Sequence, residues 1–129
     1  IHRIQNKEEI PIYGKGENVR DWLYVKDHVD ALLLVLKNGK SGCTYNIGGD
    51  NELTNLELVS KICDSIKKIY PDKDLATLSD AIEFVEDRPG HDFRYSMNSD
   101  KLNKLSNSPY LSNFEDSIVE TIKWYVEVE

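Results

Sequence analysis

The chain has 129 residues, 40% hydrophobic and 30% charged, with 16 Lys and Arg against 23 Asp and Glu for a net charge of −7. That is ordinary soluble composition for one modest domain, and the acidic sign excludes a nucleic-acid or anionic-membrane surface, which needs a basic face to displace counterions. No apolar run approaches the roughly 20 residues that span a bilayer, and no signal-peptide pattern opens the chain, so a cytoplasmic location is expected.

The opening Ile1 to Lys7 reads as the tail of a helix, and the chain is therefore expected to be a fragment of a longer protein. Ile10 to Tyr13 reads as a strand closed by the turn Gly14-Lys-Gly16, and Val19 to Val25 as a second β-like segment. Asp27 is placed to cap a helix that runs to Asn38 and stops at Gly39. Its Ala31 to Leu36 run is apolar all round, a pattern normally covered on more than one side. Cys43 to Ile47 reads as a strand ended by Gly48-Gly49. Thr54-Asn-Leu-Glu57 matches a capping box, followed by Val59, Ile62, Cys63, Ile66 and Ile69 at helical spacing and by the helix stop Pro71. Residues 71 to 81 read as a loop, Ile82 to Val85 as a strand, and Asp87-Arg-Pro-Gly-His91 as a stiff turn. Ser112-Asn-Phe-Glu115 is a second capping box, opening a last helix with Phe114, Ile118, Ile122 and Tyr125 on one side. The order is that of an α/β domain without internal repeats. Cys43 and Cys63 are both expected to be buried, and His2, His28 and His91 lack the spacing of a zinc site.

Several chemistries are missing from the pattern. Gly14-Lys-Gly-Glu-Asn-Val19 lacks the third small residue of a dinucleotide cradle and is not followed by a helix, so it reads as a hairpin turn. None of the seven tyrosines has a lysine four places on, which excludes the Tyr-x-x-x-Lys pair of a short-chain dehydrogenase. No catalytic residue, cofactor-binding residue or metal ligand can be named. What the chain does offer is arginine, whose planar fork makes paired, charge-assisted bonds to a diphosphate. Arg20 precedes the Asp21 to Tyr24 run and Arg88 sits in the rigid turn, although spacing alone fits solvated surface arginines equally. Asn55, in the first turn of its helix, suits a phosphate or a sugar hydroxyl, or else its own backbone. Tyr13 and Trp22 could face a nucleobase or serve the core.

Four motifs then converge. Pro11-Ile-Tyr-Gly-Lys-Gly16, Val19-Arg-Asp-Trp-Leu-Tyr-Val25 with Asp27-His28, Thr44-Tyr-Asn-Ile-Gly-Gly49, and Asp87-Arg-Pro-Gly-His-Asp92 with Arg94-Tyr95 resemble the carboxy-terminal portion of dTDP-glucose 4,6-dehydratases. These are extended short-chain dehydrogenases/reductases. The resemblance runs from about residue 8 to 126. It implies an α/β substrate-binding lobe of an NAD(P)-binding Rossmann-type enzyme, with the Rossmann half mostly missing. Residues 1–129 would form the nucleotide-sugar domain, and 27–49 would pack on the absent NAD-binding domain. The parent would be an NAD-dependent lyase that oxidises C4 of the glucosyl group, eliminates water across C5 and C6, and returns the hydride to C6. The fragment itself would bind no NAD and be inactive. By the same resemblance Pro11, Ile12 and Tyr13 would line the thymidine site, Arg20 and Arg88 would hold the diphosphate, and Asn55 would contact the same region. Asp87, Arg88, Pro89, Gly90 and His91 would form the loop closing over the nucleotide. The implied partners are dTDP-glucose or dTDP, the missing amino-terminal domain, and a second copy through an exposed apolar face. Leu105 to Tyr110 stands where the family usually has Gly-Trp, a loop change affecting packing. Two other readings stay open: a fragment of a UDP-sugar epimerase or decarboxylase, and a non-catalytic interaction domain.

Overall fold

The computed structural model describes residues 1–72, 81–106 and 110–128. The short helix α1 (His2–Gln5) is followed by strand β1 (Ile10–Tyr13), strand β2 (Val19–Asp21), helix α2 (Val25–Asn38), strand β3 (Glu52–Thr54) and helix α3 (Asn55–Ile69). Strand β4 (Ile82–Val85), the single turn α4 (Asp100–Asn103) and helix α5 (Phe114–Val128) complete the order. β1 and β4 pair in parallel from Ile10↔Ile82 to Tyr13↔Val85. Parallel neighbours need a long crossover, and here it carries α2 and α3. Among the described residues β1 pairs on one side only, which suits Pro11, a residue with no N–H for a second ladder. β2 pairs antiparallel with β3, Arg20 facing Leu53. Its other edge is taken by the 93–95 segment, where Val19 N–H donates to Phe93 O at 2.8 Å and Tyr95 N–H to Val19 O at 3.1 Å.

This arrangement corrects the expected fold. The resemblance pointed to a carboxy-terminal portion alone, with the Rossmann half mostly missing. The parallel β1–β4 pair with its helical crossover is a Rossmann-type α/β unit, and it lies within this chain.

The core forms where α3 packs on α5, with Cys63, Ile66, Ile118 and Ile122 buried between them. Ile4 joins that cluster, which explains why so short a helix as α1 persists. The capping box of α3 is complete: Thr54 Oγ1 accepts from Glu57 N–H at 3.1 Å, and a Glu57 carboxylate oxygen accepts from Thr54 N–H at 2.8 Å.

Several local expectations give way to tertiary partners. β2 ends at Asp21 instead of running to Val25, because the Asp21 carboxylate turns away to accept from Gly49 N–H at 3.0 Å and Asn51 N–H at 3.0 Å. Asp27 is no cap: α2 begins at Val25, and the Asp27 carboxylate, 4% exposed, accepts from the Ser112 N–H and hydroxyl. With Ser112 so engaged, Asn113 rather than Ser112 caps α5, its side-chain oxygen accepting from Glu115 N–H and Asp116 N–H. Cys43 to Ile47 forms no strand: Lys101 donates to Thr44 O, and the Asn46 side chain donates to Asn98 O. Cys43 is exposed and only Cys63 is buried. Within the chain α2 is covered on one side at Ala31, while Leu32, Leu33 and Leu36 are exposed. Most of the loop expected at 71–81, and part of the Leu105 to Tyr110 change, lie outside the described residues.

Candidate nucleotide-sugar site

The parallel pairing delivers the ends of β1 and β4 to one place. Gly14, just past β1, donates its N–H to Val85 O at 2.9 Å, so the turn after β1 sits beside the Asp87–His91 turn after β4. A Cβ at Gly14 would meet Asp87 Oδ2 at 3.2 Å, and its φ of 57° is left-handed, so glycine serves both closeness and conformation. Strand alternation splits the Pro11 to Tyr13 run. The Ile12 side chain is 5% exposed and faces the fold, while Pro11 and Tyr13 lie on the open face.

Arg20 reaches this place from β2. One of its terminal nitrogens donates to Val19 O at 2.6 Å, and the other contacts His91 Nε2 at 2.8 Å and donates to Asp92 O at 3.0 Å. Its guanidinium also stacks 4.6 Å over the Tyr95 ring. Arg88 is exposed and makes no side-chain hydrogen bond among the described residues. Its guanidinium lies 5.8 Å over the Tyr13 ring, and the Tyr13 and His91 rings meet edge to face at 6.1 Å. The Tyr95 ring lies under Arg20. Its hydroxyl donates to Asp92, which pushes its pKa up, and both Arg20 and Arg88 oppose that rise. Around the two turns, Arg20 meets His91, His91 meets the Tyr13 ring, and Tyr13 carries Arg88.

The Asp87 carboxylate accepts from His91 Nδ1 at 2.6 Å, and that bond, aided by the Arg88 backbone N–H and opposed by desolvation, holds its pKa below the usual range. A carboxylate with a lowered folded-state pKa keeps the turn tied throughout the neutral range. It lets go only when pH falls through that depressed value.

Asn55 stands at the edge of this group. The first amides of its helix are already engaged: Asn55 N–H donates to Asn18 O, Leu56 N–H to Gly16 O, and Glu57 N–H to Thr54 Oγ1. What Asn55 can offer a ligand is therefore its side chain, not a free helix terminus. Pro89 and Gly90 form the exposed tip of the turn. Tyr95, which carries Arg20 on its ring, had no site role in the sequence reading. The signal was its place three residues beyond Asp92 in the last motif. Trp22 is turned away, its indole N–H donating to Leu53 O at 3.1 Å.

A parallel α/β crossover with Arg20 tied to the turn beyond its second strand fits the extended short-chain dehydrogenases/reductases, the class that the solved structures below also represent. The chain belongs to the GDP-mannose 4,6 dehydratase family, whose model matches residues 1–120. It is 46% identical over 117 residues to a dTDP-glucose 4,6-dehydratase of Salmonella typhimurium, covering 91% of this chain and 32% of that protein. A dTDP-glucose 4,6-dehydratase of Haemophilus influenzae is 46% identical over 120 residues, with 91% of this chain and 35% of that one covered. Among solved structures, the dTDP-glucose 4,6-dehydratase DesIV of Streptomyces venezuelae with NAD and TYD bound superposes with a TM-score of 0.84 at 37% identity, covering 98% of this chain and 36% of that one. The dTDP-glucose 4,6-dehydratase of Bacillus anthracis in complex with NAD gives 0.77 at 36% identity, with 98% and 37% covered. The chain thus spans about a third of the length of these relatives. Among the described residues no group of His, Cys, Asp and Glu could hold a metal ion, and no helix is long and apolar enough to cross a membrane.

Proposed function

We propose that this chain grips the thymidine diphosphate of dTDP-glucose for an NAD-dependent 4,6-dehydratase, a lyase that forms dTDP-4-keto-6-deoxyglucose. The observation that supports the reading is that Arg20, from β2, meets His91 in the turn after β4, the turn that also carries Arg88 over the Tyr13 ring. Two planar forks suit the two phosphates of a nucleoside diphosphate, and the Tyr13 face between them and Pro11 suits a base or a sugar edge. Asn55 would add a side-chain contact, and the Asp87 to His91 turn would close over the nucleotide. Identities of 42–46% to dTDP-glucose 4,6-dehydratases support this substrate over a UDP-sugar. The solved UDP-N-acetylglucosamine 4-epimerase of Methanobrevibacter ruminantium is 27% identical.

NAD, when bound by the parent enzyme, supplies a reversible store for the hydride leaving C4. In this chain the Gly14–Gly16 turn is a poor cradle for it. Gly16 N–H is engaged by Tyr13 O, and a Cβ at Gly16 would strike Ile12 Cγ2 at 2.7 Å, so this glycine serves internal packing. We therefore assign the chain substrate binding and no hydride or proton transfer, and expect no turnover from it alone.

Calorimetric titration with dTDP and UDP tests the reading. The thymine methyl, worth about 0.8 kcal/mol when buried, should favour dTDP by roughly fourfold. UDP binding as tightly, or neither nucleotide binding, would remove the assignment. The open Leu32, Leu33 and Leu36 face of α2 is proposed to bring segment 27–49 against the rest of the native protein. Purified on its own, the chain should self-associate in sedimentation, and Leu36→Lys should return it to a monomer.

A further inference from the structure

We infer that His91 is the positioning residue that seats Arg20 for the diphosphate, and that protonating its imidazole unseats Arg20, making nucleotide binding sensitive to acid. This rests on the reading that Arg20 holds the diphosphate. A guanidinium can only donate, so in the 2.8 Å contact between Arg20 and His91 Nε2 the imidazole nitrogen must accept. The single ring proton then belongs on Nδ1, where it donates to Asp87 at 2.6 Å. Asp87, His91 and Arg20 form one directional chain, anchored in the turn after β4 and ending on β2. The His91 side chain is 5% exposed, so water has little room to replace a lost contact.

A second ring proton would set a donor against a donor and a cation against a cation. Besides Asp87 and Arg20, the titratable group that meets this ring is Tyr13 from β1, with Arg88 over the Tyr13 ring and Asp92 and Tyr95 around the Arg20 guanidinium. Asp87 stays ionised through mild acid because His91 holds its pKa below the usual carboxylate range, and the Tyr95 phenol is pushed up, away from it. Loss of the seat leaves the backbone acceptors Val19 O, Asp92 O and, at 3.5 Å, Phe93 O holding Arg20, without the His91 contact that ties its fork to the turn after β4.

The test uses the native protein and a phenyl ester of dTDP, whose diphosphate lacks the terminal acid group that would itself titrate. Affinity should fall about tenfold between about pH 8 and about pH 5. His91→Gln, whose amide oxygen can stand where Nε2 stands, should keep the high-pH affinity at both ends. His91→Phe should show the low affinity at both ends. The inference is overturned if His91→Gln follows the native pH profile, or if His91→Phe keeps native affinity. A further readout needs neither variant nor nucleotide: nitrogen NMR of labelled histidine should show His91 with a bare Nε2 and a protonated Nδ1 near neutral pH. The opposite tautomer overturns the inference. A protein that shows the expected tautomer yet binds no diphosphate at any pH would instead sink the nucleotide-sugar reading and leave no diphosphate for Arg20 to be seated for.

Discussion

Arg20→Ala is expected to weaken dTDP binding by about 100-fold, and Arg88→Ala by about tenfold. The difference follows from how each guanidinium is held. Arg20 is half-buried, tied to Val19 O, Asp92 O and His91, and backed by the Tyr95 ring, so its fork is oriented before a ligand arrives. Arg88 is exposed and, among the described residues, its side chain is steadied by the Tyr13 face at 5.8 Å, so part of its attraction is screened and part offsets the cost of ordering it. Arg20→Lys should not restore binding, because a point charge on a flexible stem cannot make the paired contact. Calorimetry on the folded variants, with circular dichroism to confirm the fold, decides it. An Arg20→Ala protein that binds dTDP within about threefold of the native one would leave the diphosphate without its anchor and favour an interaction domain.

The Thr54 capping box, the Ile10 to Tyr13 and Ile82 to Val85 strands and the helix ending before Pro71 were legible because each is fixed by neighbours within a few residues. The Val19-Arg-Asp-Trp-Leu-Tyr-Val25 motif, in contrast, looked like one strand. In the fold its charged members go separate ways: Arg20 to His91 and Asp92 O, Asp21 to the Gly49 and Asn51 amides. Nothing local announces a partner 28 to 30 residues away, so the strand was drawn too long. The parallel β1–β4 pairing was hidden for the same reason, since register between strands some 70 residues apart leaves no mark on either one. The two arginines were visible as chemistry, while the meeting of Arg20 with the turn that carries Arg88 depended on partners some 70 residues away. Tyr95 was missed because an aromatic near a strand reads as core, whereas its ring is exposed and carries a cation.

The second large effect falls on stability. Asp27→Ala should destabilise the fold by about 3 kcal/mol, seen as a lower denaturant midpoint with an unchanged slope. The Asp27 carboxylate is 4% exposed, and its two oxygens accept from the Ser112 N–H at 2.9 Å and the Ser112 hydroxyl at 2.6 Å. Alanine would leave both donors facing a void and would release the start of α5 from α2, the helix whose other face is open. Asn at this position retains one acceptor oxygen, so Asp27→Asn should cost about half as much. The dTDP affinity of the molecules that remain folded should not change, because Asp27 and Ser112 belong to the α2–α5 junction while Arg20, Arg88 and His91 gather beyond the ends of β1 and β4. A variant that keeps its stability but loses dTDP would mean that this aspartate acts on the ligand, and the separation drawn here between the structural and the binding members of one motif would be wrong.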